Sequence, residues 1–184
     1  MENSKLMNKP EQSSERLFFA LWPNDDVRQA IDATTQPIVQ NVTGKIIPRA
    51  NWHITLAFLG DINMFTKQCV QQVAATMQSS QFSLSLDHFG YWPKPHILWL
   101  GINQIPDSLQ DLVNQLQNGL LSCDYRPESR PFKVHLTLMR KANRVRKFPV
   151  IKPISWSVKD FCLVRSNLEA DGAFYEVVER WSLN

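Results

Sequence analysis

The chain has 184 residues, of which 43% are hydrophobic and 20% charged, and its net charge is +3. This composition excludes a disordered or fibrous protein and fits one domain, simple or built as two lobes. No apolar run reaches bilayer-spanning length, and residues 1–15 are polar, without the apolar segment of a signal peptide. The expectations are a flexible tail over 1–15, a single folded domain over 16–184, no membrane association and a cytoplasmic setting. Cys69, Cys123 and Cys162 are odd in number and form no CxxC pair. That pattern predicts small core residues in a reducing compartment rather than a disulfide framework or a cysteine zinc site.

The first element is a compact apolar run at 16–22 (RLFFALW), read as a buried strand. Asn24 offers a helix cap, Asp25 and Asp26 suit a first turn, and Pro37 predicts a stop near Gln36. A strand follows at 53–60 (HITLAFLG). A helix at 63–78 carries Val70, Val73, Ala74 and Met77 on one face. Residues 82–89 alternate apolar and polar as one strand, and the turn YWPKP leads into another at 96–102. The third helix spans 106 to about 121, with Leu109, Leu112, Val113 and Leu116 inward. Strands near 133–140, 156–165 and 173–181 complete the order β-α-β-α-β-β-α-β-β-β. This is an α+β pattern with mostly antiparallel pairing. The sequence has no glycine-rich phosphate loop.

One internal echo carries the chemistry. His53-Ile54-Thr55-Leu56 matches His135-Leu136-Thr137-Leu138. On a strand, His and Thr of each motif share a face while the apolar residues point to the core. One such motif alone describes a hydrogen-bonded structural histidine equally well; a matched pair points to function. Histidine titrates near neutrality, so one ring can act as general base and the other as general acid, with threonine hydroxyls on the non-bridging oxygens of a phosphate. The second motif sits in a basic stretch: nine Lys or Arg lie between Arg126 and Lys152, against the single acid Glu128. Local charge of that kind draws in polyanions. His88 and His96 lack a Thr two residues on and read as structural or surface residues. Tyr91 and Trp92 are candidates either for stacking on a terminal base or for core anchoring.

With these motifs the chain resembles the two-histidine phosphoesterases, specifically the RNA 2′,3′-cyclic phosphodiesterases also described as 2′-5′ RNA ligases. The resemblance covers residues 16–183. It rests on Arg16-Leu17-Phe18-Phe19-Ala20, on Asn51-Trp52-His53-Ile54-Thr55-Leu56-Ala57-Phe58-Leu59-Gly60, and on Arg130-Pro131-Phe132 before His135-Leu136-Thr137-Leu138. Ser166, Gly172, Tyr175 and Trp181 match the C-terminal spacing. It implies a bilobal, pseudo-symmetric fold with mostly antiparallel sheets around a central groove and helices outside. It implies catalysis by His53 and His135, phosphate binding by Thr55 and Thr137, and a 2′-phosphate product. By analogy His53 is the acid at the departing O3′ and His135 the base on water, an order that near-symmetric motifs do not settle. Val134 stands where the family has proline; as a good strand former it is expected to keep the geometry.

Arg140 is a weaker phosphate candidate, because an offset of five from His135 points away from the site on a regular strand. No cofactor and no metal are expected, since there is no HExxH and no carboxylate–histidine cluster. The partner is an RNA end or nucleotide bearing a 2′,3′-cyclic phosphate, and the protein is taken as a monomer. Ligation at the same site, a non-catalytic RNA-binding protein and a metal hydrolase are the competing readings.

Overall fold

The computed structural model describes residues 14–126, 131–169 and 172–184. Most of the expected tail, together with Glu128 and Arg130, lies outside the described residues. Its elements are β1 (Glu15–Leu21), α1 (Asp25–Val39), β2 (Lys45–Ile46), β3 (Ile54–Ile62), α2 (Met64–Ala75), β4 (Phe82–Leu86), β5 (His88–Trp92), β6 (Ile97–Gly101), α3 (Asp107–Leu120), β7 (His135–Arg140), β8 (Ile154–Val158), β9 (Asp160–Glu169) and β10 (Gly172–Ser182). Short 3₁₀ turns sit at Arg49–Asn51 and Leu121–Cys123.

An eight-stranded antiparallel sheet runs β10-β9-β1-β3-β7-β6-β5, with β2 also on β7. Its two halves meet between β3 and β7 at a single residue pair, Ile54 with Leu136. Beyond that pair β2 takes the place beside β7, through Lys45 with Arg140 and Ile46 with Met139. Each half holds a strand–helix–strand unit, β1-α1-β3 and β6-α3-β7, whose strands pair antiparallel. The two-lobed α+β reading therefore holds, with both histidine motifs at the seam.

Alternation on β1 sorts the two faces. Leu17, Phe19 and Leu21 join the main core with Ile31 of α1, Val70 of α2 and Leu112 of α3, so the helices cover that face. Burying each such side chain contributes about 1.5–3 kcal/mol. Phe18 and Ala20 turn to the opposite face, with Cys162 and Val164.

Several sequence boundaries move. Glu15 belongs to β1 rather than to a tail, held by Lys67 and Arg165. α1 passes through Pro37 to Val39, because one more turn buries Ile38. Residues 82–89 and 156–165 each divide into two strands, at Asp87 and Lys159. β4 pairs with β8 in a separate two-stranded sheet, while β5 and β9 join the large one. At each break the parity of the positions facing the main core shifts by one, from Phe82, Leu84 and Leu86 to Phe89, and from Ile154, Trp156 and Val158 to Phe161 and Leu163.

The cysteine reading needs correction. Cys69 on α2 and Cys123 in the turn after α3 form a disulfide, with Cα atoms 5.7 Å apart. Packing of α2 on α3 brings together residues 54 apart in sequence, a proximity no local motif announces. The cysteine argument for a reducing compartment therefore falls. Cys162 is free and buried as expected, and burial pushes its thiol up to about 12. Closing a loop of this length stabilises a fold by about 4 kcal/mol. Cys69→Ser, or reduction of the wild type, should lower the midpoint of urea unfolding and the free energy extrapolated from it by about that amount; coincident reduced and oxidised curves would contradict the assignment.

Candidate active site

Each catalytic candidate begins at a turn that fixes its ring. The 3₁₀ turn Arg49–Asn51 is pinned to β10 by Asn51, whose amide donates to the Ala173 carbonyl at 2.7 Å. The Asn51 carbonyl then accepts from His53 Nδ1 at 2.6 Å. On the other side the Lys133 carbonyl accepts from His135 Nδ1 at 2.8 Å. A carbonyl oxygen only accepts, so both Nδ1 atoms carry the proton and both Nε2 atoms are left for chemistry. Val134, the departure from the family's proline, is buried and preserves this geometry.

The Ile54–Leu136 pair makes the two motifs each other's neighbours. In an antiparallel ladder the flanking residues place His53 beside Thr137 and Thr55 beside His135, on one face. The Thr55 hydroxyl donates to His53 Nε2 at 3.1 Å. The structure thus brings His53, Thr55, His135 and Thr137 together around a local pseudo-two-fold axis.

Arg140 joins them through a bulge that the sequence reading lacked. Between β6 and β7 the register slips, so that Trp99 faces Thr137 and Leu98 faces Met139, leaving Leu138 extra. Leu138 and Met139 are both buried, and Arg140 is exposed on the side of His135 and Thr137. Its charge reaches both histidines. The objection from the odd offset is overturned.

The surroundings of the two rings differ. Trp22 stacks on His53 at 5.7 Å and 13°. Phe18 lies at 4.9 Å and Tyr175 stands edge-on at 5.2 Å. Burial among these rings lowers His53 from the ordinary 6.5 to about 4; its bond to Asn51 opposes the fall, and the charges of His135, Arg140 and Arg28 add to it. His135 meets Trp92 edge-on at 4.6 Å. It too is lowered, mainly by burial, against the bond to Lys133 and with help from Arg140.

Trp92 is therefore at the site, and Tyr91 is not. Neighbours on a strand face opposite ways, and Tyr91 packs on the main core with its hydroxyl donating to the Ala142 carbonyl at 3.1 Å. The stacking expectation at Tyr91 is corrected to the core-anchoring alternative. Sequence reading missed Trp22, Phe18 and Trp99 as site aromatics. Trp99 meets Trp92 at 5.3 Å and lies over Gly90 and Gly101, where an added Cβ would come within 2.0 and 2.5 Å of its ring. His88 is bound to Asp87 at 2.8 Å and stands edge-on to Trp99. His96 is exposed beside the Tyr91 hydroxyl. Among the described residues, no group of three or more His, Cys, Asp or Glu is placed to hold a metal ion, and no helix is long and apolar enough to cross a membrane.

A family profile described as the 2′-5′ RNA ligase superfamily matches residues 23–169. The chain belongs to the 2′-5′ RNA ligase superfamily. Within it, the chain is similar to the RNA 2′,3′-cyclic phosphodiesterase of Escherichia coli, 30% identical over 171 residues that cover 92% of this chain and 97% of that protein. The enzyme of the same name from Thermus thermophilus is 31% identical over 181 residues, covering 91% and 90%. The crystal structure of E. coli LigT complexed with 3′-AMP superposes with a TM-score of 0.86 at 29% identity, over 92% of this chain and 98% of that one. Superfamily membership and the superposition agree with the fold described above.

The low value at His53 has a consequence for stability. An unfolded histidine titrates near 6.5, so between about 4 and 6.5 the unfolded chain binds the extra proton. This contribution to stability is complete above 6.5, is lost as pH falls through that window, and is level below it. Thermal denaturation from pH 7 to 4 should therefore show a smaller loss for His53→Gln than for wild type. Parallel pH curves would contradict the environment described for His53.

Proposed function

We propose that the chain hydrolyses RNA-terminal 2′,3′-cyclic phosphates to 2′-phosphomonoesters by acid–base catalysis, without a metal. The observation that carries this reading is the matched pair of Nδ1-to-carbonyl bonds, which leaves two Nε2 atoms on one face flanked by two threonines. Relatives named RNA 2′,3′-cyclic phosphodiesterase over nearly the whole chain support it.

In this mechanism His135 Nε2 takes a proton from water as its oxygen attacks phosphorus. The P–O3′ bond breaks, and protonated His53 gives its Nε2 proton to O3′. The products are a 2′-phosphate and a 3′-hydroxyl. Thr55 and Thr137 donate to the non-bridging oxygens, and Arg140 offsets the charge that builds there. The described basic residues between Arg126 and Lys152 are all exposed, which suits attraction of an RNA end. The acid–base order follows the family resemblance; exchanging the two roles gives the same net reaction.

Turnover of a short RNA ending in a 2′,3′-cyclic phosphate, with chelator present, tests the reading. His53→Ala and His135→Ala should each lose about 10²–10⁴-fold. A fully active single variant, or an inert wild type that still binds RNA, would move the non-catalytic reading to the front; loss of activity to the chelator would favour a metal hydrolase. Accumulation of a joined product when 5′-hydroxyl RNA is added would favour ligation.

A pH profile adds a second test. Both free-enzyme histidines are lowered, so kcat/KM should be bell-shaped with its maximum below 6.5. The bound phosphate anion favours imidazolium, so the maximum in kcat should lie at higher pH. Superimposable flat profiles across pH 5–9, with chemistry rate-limiting, would contradict the mechanism.

A further inference from the structure

A second arginine-bearing pocket adjoins His53 and is not used by the chemistry above. It has a volume of about 400 Å³ and is lined by Trp22, Asp25, Arg28, Arg49 and Ala50. Arg28 is only 5% exposed. Its Nε donates to the Pro23 carbonyl at 3.0 Å and one terminal nitrogen donates to the Arg49 carbonyl. The other terminal nitrogen, Nη2, is buried without a partner. No carboxylate forms an ion pair with Arg28 among the described residues. A buried guanidinium stays charged, and an unpaired buried charge is costly. An anion held in the pocket would offset the guanidinium charge electrostatically.

The rest of the pocket is suited to an anion. Arg49 is exposed at its mouth, with Nη2 donating to the Asp25 carbonyl at 3.1 Å. The N-terminus of α1 opens beside it, at Asp25. The Asp25 carboxylate opposes an anion, as one negative charge against two guanidinia. Trp22 connects this pocket to the chemistry: its ring lies 5.2 Å from the Arg28 guanidinium carbon and 5.7 Å from the His53 ring.

Resting on the function proposed above, we propose that this pocket binds a second phosphate of the substrate, the one on O5′ of the terminal nucleotide. In a nucleotide with a cyclic 2′,3′-phosphate, one ribose separates that end from the O5′ phosphate. Trp22 touches both His53 and Arg28 and so joins the two sites. Arg28 and Arg49 then select an RNA end, or a 5′-phosphorylated nucleotide, over a cyclic nucleoside that carries no such phosphate.

Binding of three probes tests this without requiring turnover: adenosine 2′-phosphate, adenosine 2′,5′-bisphosphate and an adenylyl dinucleotide ending in a 2′-phosphate, measured by calorimetry. The two probes with an O5′ phosphate should bind the wild type about ten-fold or more tightly than adenosine 2′-phosphate. Arg28→Lys should reduce that gain, and Arg49→Gln, a surface change that leaves the core untouched, should reduce it as well. A gain for the bisphosphate alone supports the pocket with a monoester as its ligand; a gain for the dinucleotide as well supports an RNA end. Equal affinity for all three probes, or a gain that persists undiminished in both variants, overturns the proposal. If that happens while cyclic ends are still hydrolysed, only this inference falls. If the gain is present and cyclic ends are not hydrolysed, the pocket stands and the hydrolytic reading falls.

Discussion

The site depends on one hydrogen bond made twice: imidazole Nδ1 to the backbone carbonyl two residues upstream, at Asn51 and at Lys133. It sets the tautomer, fixes the ring plane and decides which nitrogen meets the substrate. A histidine on a strand without it would rotate about χ2 and present either nitrogen. The seam of the sheet does the complementary work. With only Ile54 and Leu136 paired, β3 and β7 approach closely enough to place two histidines and two threonines on one face. The turn at Arg49–Asn51 is held in turn by β10, so strands far apart in the sequence contribute to the position of His53.

The symmetry of the motifs is broken by what surrounds them. His53 is enclosed by Trp22, Phe18 and Tyr175, whereas His135 has Trp92 at its edge and more solvent. Enclosure disfavours imidazolium, so the two rings differ in acidity although their backbone bonds are alike. An anionic phosphate placed between them opposes that trend. In the acid–base mechanism proposed above, the substrate itself thereby helps create the protonated partner.

What the sequence showed followed from local rules. The HxTx repeat is visible because strand alternation is strict over three residues. Asn24 caps α1 as its position suggests, with the side chain accepting from the Val27 amide. What it hid depended on partners remote in the chain. Arg140 looked misdirected because a bulge arises from mismatch between β6 and β7, which neither strand reveals alone. Cys69 and Cys123 meet only because α2 lies on α3. Trp22 read as the end of a buried strand, and its stacking on His53 follows from the pairing of β1 with β3. Tyr91 and Trp92 formed one candidate in the sequence and lie on opposite faces in the fold. The glycines at 90 and 101 carried no motif; their role is to leave room for the Trp99 ring.

The most direct test of the two-histidine arrangement is the protonation state of the imidazole nitrogens themselves. In ¹⁵N-histidine-labelled protein at neutral pH, long-range ¹H–¹⁵N correlation spectra should show His53 and His135 both as the Nδ1–H tautomer with unprotonated Nε2. Addition of adenosine 2′-phosphate should shift both rings towards the doubly protonated form. An Nε2–H tautomer at either residue, or a response at only one of the two, would contradict a shared site in which both Nε2 atoms face the same phosphate.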